Sequence, residues 1–86
     1  MNPCVYVLVS LLDKNRYIGS TTNLNRRMNE HNQGLVLSTK NRRPLQLVYF
    51  QEFTDLVEAR IYETKYKKSR GLYEKAVKSG LLRRVA

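Results

Sequence analysis

Tyr17-Ile18-Gly19-Ser20-Thr21-Thr22-Asn23-Leu24-Asn25-Arg26-Arg27-Met28-Asn29-Glu30-His31-Asn32 reads as a short strand that turns into a helix. At helical spacing, Leu24, Arg27, Met28 and His31 fall at i, i+3, i+4 and i+7 and share one face. Leu24 and Met28 mark that face as the inward one. Asn25, Arg26, Asn29 and Glu30 take the solvent side. Arg27 and the chain's single histidine, His31, are thus aimed at the interior or at a cleft edge. A charge on an apolar face is costly unless something pairs with it.

Outward from this stretch, residues 5–11 are β-branched and apolar at both parities, as in a strand covered on both faces. Asp13 and Asn15 supply turn chemistry, and residues 17–21 return as the second strand of a hairpin. Gly19 either lets another group approach closely or marks a twist or bulge. Thr22 is expected to cap the first helix and Gly34 to stop it. Residues 35–44 form a basic loop, and residues 45–53 a third strand. Asp55 followed by Glu58 starts a second helix. Leu56, Ala59, Glu63 and Tyr66 share one of its sides, so a charged residue again sits among apolar ones. Ser69 caps a last helix over about 70–79, closed by Gly80 and followed by a loose basic tail, residues 81–86. The order ββαβαα predicts one α+β domain over residues 1–86, with a core of about 4–80: a three-stranded, mainly antiparallel sheet flanked by helices.

The bulk properties narrow the function. With 86 residues, 42% of them hydrophobic, the chain supports one modest core rather than two, and disorder is not expected. Sixteen Lys and Arg against 7 Asp and Glu give +9 at pH 7. Such an excess points first to nucleic acid and second to an acidic membrane surface, the plain alternative being a soluble basic surface. One cysteine makes no internal disulfide, which predicts a reducing, cytoplasmic setting, and Cys4 reads as a small core residue. The apolar run after Cys4 is too short to cross a bilayer and lacks signal-peptide flanks, so neither anchor nor leader is expected. A lone histidine excludes a histidine zinc cluster, and no Ser-His-Asp set is visible.

The ordered set Val5-Tyr6-Val7, Tyr17-Ile18-Gly19, Arg27 and Glu63 resembles the GIY-YIG endonuclease family in its small stand-alone form, from Cys4 to about Lys75. The resemblance implies an endonuclease hydrolysing phosphodiester bonds in DNA with one Mg²⁺ or Mn²⁺, in a family that includes repair nucleases. Glu63, five residues after Glu58 in the Glu58-Ala59 dipeptide, matches the family's metal-binding glutamate. By spacing alone, a helical Glu63–Lys67 pair is the simpler reading. Arg27, ten residues after Tyr17, matches the catalytic arginine, whose fork suits a phosphate. Its plain reading is an ion pair with Glu30 or Glu52. His31 matches a position that lines the site, and either it or Tyr17 is the candidate base. Tyr6 and Tyr17 are the two motif tyrosines, Tyr17 the better catalytic candidate, although core packing is the default for both. Tyr49 and Tyr62 read as core.

The chain departs from the family in three places. Val-Tyr-Val replaces Gly-Ile-Tyr. Ser20 stands where related repair nucleases carry lysine, leaving Ser20 or Thr21 to bond the phosphate. Lys75 occupies a spacing where some relatives have asparagine. Lys40, Arg42, Arg43, Arg60, Lys65, Lys67, Lys68 and Arg70 lie on two segments that could join in one phosphate-tracking patch, or remain a solvated surface. The main rival function is a non-catalytic nucleic-acid-binding module of the same fold. A third, a protein adaptor, would use the tail at residues 81–86.

Overall fold

The computed structural model describes residues 2–85. Its elements are β1 (Cys4–Ser10), β2 (Arg16–Thr21), α1 (Leu24–Asn32), a 3₁₀ turn (Lys40–Arg42), β3 (Leu45–Glu52), α2 (Leu56–Lys68), α3 (Arg70–Ser79) and β4 (Arg83–Arg84). The α+β class and the antiparallel sheet are as expected, but the sheet has four strands in the order β2-β1-β3-β4. The fourth strand corrects the expectation of a loose tail. Arg84 and Arg83 pair with Tyr49 and Phe50, and the Val85 amide donates to the Val48 carbonyl at 2.9 Å. Leu82, 1% exposed, is driven into the core and carries the two arginines onto the edge of β3. Ala86 lies outside the described residues.

Apolar residues at both parities of β1 have a direct cause: the strand is central and both its faces are covered. Val5 and Val7 join Ile18 in packing under α2 and α3, against Ala59, Tyr66, Tyr73, Ala76 and Leu82. Tyr6 and Leu8 face the other way, with Leu45, Tyr17, Leu24 and Met28. The molecule is therefore three layers, with α1 on one face of the sheet and α2 and α3 on the other. Cys4, 2% exposed at the head of β1, is a core residue as expected. Burial, with Glu52 nearby, pushes its thiol pKa up to about 11. Tyr49 and Tyr62 pack against the α2–α3 core.

The helix ends follow the capping chemistry with one shift of a residue. Asn23, not Thr22, caps α1, its side chain accepting from the Arg26 amide. Thr21 forces the shift, because its hydroxyl accepts from the Asn23 amide and turns the chain before the helix begins. Asp55 and Ser69 cap α2 and α3 by accepting from the Glu58 and Leu72 amides. Gly34 and Gly80 follow α1 and α3 with φ of +78° and +83°, a left-handed region that favours glycine.

Candidate active site at the β2 edge

Tyr6 and Gly19 face each other across β1 and β2. A Cβ at Gly19 would lie 2.5 Å from the Tyr6 hydroxyl oxygen and 2.6 Å from Cζ. Glycine is thus required by the close approach of a side chain, which decides between the two readings of this position. The ring of Tyr6 lies over Gly19, and its hydroxyl reaches α1.

There it meets the two polar residues of the inward face. Arg27 Nε donates to Tyr6 Oη at 3.4 Å, and Tyr6 Oη lies 2.9 Å from His31 Nε2. His31 Nδ1 lies 2.7 Å from Thr39 Oγ1, which in turn reaches the Val36 carbonyl at 3.5 Å. The direction of this chain follows from its ends. A guanidinium only donates, so Tyr6 accepts from Arg27 and directs its own proton to the nearest free acceptor, Nε2. That assignment puts the remaining imidazole proton on Nδ1, donating to Thr39, which passes its hydrogen to a carbonyl. His31 and Thr39 are 0% exposed, so the imidazole is held neutral. Burial, and then the charge of Arg27, lowers its pKa to about 4. Burial likewise pushes the Tyr6 phenol up to about 12. Arg27 also pairs with Glu30 at 3.2 Å, one of its two plain-reading partners, while remaining partly open to solvent.

Tyr17 stacks edge-on against His31, with ring centroids 5.2 Å apart, and stands 6.3 Å from Tyr6. Tyr6, Tyr17, Arg27 and His31 therefore form one cluster on the α1 face. Glu63 approaches β2 from the opposite face. Its Oε1 accepts from Ser20 Oγ at 2.5 Å, and its Oε2 is paired with Lys67 Nζ at 2.6 Å. The simple helical pair is thus formed. The two groups thus approach β2 from its two faces, at the neighbouring residues Gly19 and Ser20. The field of Glu63 reaches Tyr6, adding to the rise of the phenol.

A cleft of about 260 Å³ opens at this edge, lined by Arg16, Tyr17, Ile18 and Lys67. A larger concavity, about 1000 Å³, runs along β3 and β4 and is lined by neither carboxylate nor histidine.

No three Asp, Glu, His or Cys side chains gather in a metal-binding group among the described residues. The donor chemistry at Glu63 nevertheless fits one hard divalent cation. Such ions keep most of their waters and accept one or two carboxylates, and Glu63 is a carboxylate fixed by a hydroxyl and already facing a cation.

The other sequence candidates divide. Thr21 is committed to the turn before α1. Arg42 is drawn to Asp13 at 2.8 Å and to the Asn15 carbonyl at 3.0 Å, where it fastens the β1–β2 turn. Arg43 donates to the Lys40 carbonyl and lies against Gly34, and Arg70 pairs with Glu74. Arg60, Lys65 and Lys68 share the outer face of α2, with Lys65 over the Tyr62 ring. Lys40 and Lys75 are exposed. Arg42, Arg43 and Arg70 are thus engaged by neighbouring groups, whereas Lys40 and the lysines of α2 project from the surface. Thr39, which holds His31, was missed. A lone threonine in a basic loop carries no signal until its burial is known.

The profile of the GIY-YIG catalytic domain matches residues 2–75. The chain is similar to UPF0213 proteins of Listeria welshimeri (35% identity, over 78% of this chain and 76% of the relative) and Clostridium perfringens (40%, over 74% and 69%). A UPF0213 protein of Lactiplantibacillus plantarum is 42% identical over 72% of this chain and 63% of its own length. No solved structure gives a significant match. With a profile spanning most of its length, and with a relative of 35% identity covered over about three quarters of its own, this chain belongs to the GIY-YIG family of catalytic domains, generally endonucleases.

Proposed function

We propose that the protein is an endonuclease that hydrolyses phosphodiester bonds in DNA with a divalent cation, Mg²⁺ or Mn²⁺, held at Glu63. The observation that supports this reading is the Arg27–Tyr6–His31 chain at Gly19 and the Glu63 carboxylate at the next residue of the edge strand, Ser20, in a chain of net charge +9. Charge density of that sign favours a polyanion. Within this reading the setting is cytoplasmic. No helix among the described residues is long and apolar enough to cross a membrane.

Arg27 presents its fork where charge builds on the non-bridging phosphate oxygens, with Tyr6 and Glu30 fixing its plane. His31 does not meet the attacking water, because both ring nitrogens are engaged and the ring is fully buried. It acts instead through Tyr6, holding the phenol in place and offering Nε2 as the acceptor for its proton. Tyr17 borders the cleft and is the phenol that meets water directly, so the base is assigned to Tyr17 rather than His31. Ser20 holds Glu63, and Lys67 and Lys40 add contacts to the phosphate backbone. Glu63 would hold the cation, which when bound would supply charge neutralisation for the departing oxygen.

The test is nicking of a covalently closed plasmid and of branched DNA by wild type and Glu63→Gln, with Mg²⁺, Mn²⁺ or EDTA. Metal-dependent nicking that Glu63→Gln abolishes is the expected result. The rival, a non-catalytic binding module, draws on the Lys67–Glu63 ion pair, which already fills the carboxylate. Firm, salt-sensitive binding with no nicking by either protein would favour it.

A further inference from the structure

We propose that Lys67 is a displaceable internal cation: it occupies Glu63 until a divalent ion arrives, then swings into the adjoining cleft to hold a phosphate of the nucleic acid. This rests on the reading of Glu63 as the cation ligand. The two partners of the ion pair differ in freedom. The Glu63 side chain is 19% exposed and its second oxygen is bonded to Ser20, whereas the Lys67 side chain is 50% exposed and ends a flexible stem. The carboxylate stays and the ammonium moves. Lys67 already borders the adjoining cleft together with Arg16, Tyr17 and Ile18, and no carboxylate is among its lining residues. Arg16 is held back over the Tyr73 ring at 4.2 Å, so Lys67 is the cation there with freedom to reach a ligand.

The exchange leaves no charged group without an opposite partner. In the resting protein the carboxylate is neutralised by an ammonium. In the loaded one a divalent ion takes the carboxylate and the ammonium neutralises a phosphate, so neither cation is left beside the other. Binding of the two ligands is therefore coupled through one side chain, and the coupling is reciprocal. Nucleic acid tightens the hold on the metal by the factor by which the metal tightens the hold on nucleic acid.

The experiment measures Mn²⁺ affinity of the full chain from the free-ion electron paramagnetic resonance signal, with and without a short DNA duplex. Wild type, Lys67→Met, Lys67→Gln and Glu63→Gln are compared, and the Glu63→Gln signal supplies the background of Mn²⁺ held by DNA. Without DNA, both Lys67 variants are expected to bind Mn²⁺ roughly tenfold more tightly than wild type, since a competing charge is gone. Adding duplex should tighten wild-type binding by roughly fivefold or more and leave the Lys67 variants little changed. Lys67 variants that match wild type in both arms would overturn the exchange while leaving Glu63 as the metal ligand. Wild-type binding that is absent, or that survives Glu63→Gln, would overturn the metal reading and this proposal with it.

Discussion

Two residues of the site make separable predictions. Arg27 touches Tyr6 and Glu30 but faces solvent enough to meet a phosphate. Arg27→Ala should lower nicking by about 10²–10³-fold, the usual loss when one charge-stabilising donor is removed. Duplex affinity in a gel shift should stay nearly constant, and Arg27→Lys, which lacks the fork, should not restore the rate. Equal losses of binding and cleavage would remove the assignment. Gly19→Ala tests the other side of the relay. The added methyl meets a phenol that is 1% exposed and held by two partners, so the ring must move. Overpacking of this kind costs about 1–3 kcal/mol, so a lowered melting temperature should accompany a large loss of nicking. At this scale the sequence showed that Arg27 and His31 point inward, because their spacing from Leu24 and Met28 requires it. It did not show what they meet, since Tyr6 comes from β1 and Thr39 from the irregular loop after α1.

The helices and the three long strands could be read directly, because each carries its own apolar pattern and its own cap. Asp55, Ser69 and Gly80 mark helix ends by local chemistry alone. β4 could not be read this way, since Arg83 and Arg84 have no apolar alternation and are exposed. The residue that places them is Leu82, which is buried against residues of α2 and α3. Leu82→Ala should therefore destabilise the domain by about 2–5 kcal/mol, as other buried leucine truncations do. For a domain this small the melting temperature should fall by about 10 °C or more. A fall of only a degree or two would mean that the last strand is an ornament on an independent core. The shift of the α1 cap from Thr22 to Asn23 has a similar origin. Three neighbouring residues with capping side chains compete, and the hydroxyl of Thr21 decides between them through the turn.

Across the whole molecule, the buried imidazole couples stability to acidity. His31 titrates near 6.5 when unfolded and at about 4 when folded. Its folded value is depressed, so the contribution is fully present above pH 6.5 and is lost as the pH falls towards 4, where the unfolded chain takes up the proton first. The shift corresponds to about 3 kcal/mol in all. Urea midpoints measured between pH 7 and 4 should fall more steeply for wild type than for His31→Gln, the difference isolating the imidazole from the carboxylates. Finally, the single thiol is placed where it can keep time. Cys4 begins the central strand, paired on one side with β2 and on the other with β3, and it is almost fully buried, with a thiol reluctant to ionise. A thiol-reactive dye should modify the native protein only as fast as the sheet parts, and at full speed once it has. The chain thus carries one built-in clock for its own opening, with no label to engineer. Added duplex and Mn²⁺ should slow that clock by the extent to which they hold the layers shut.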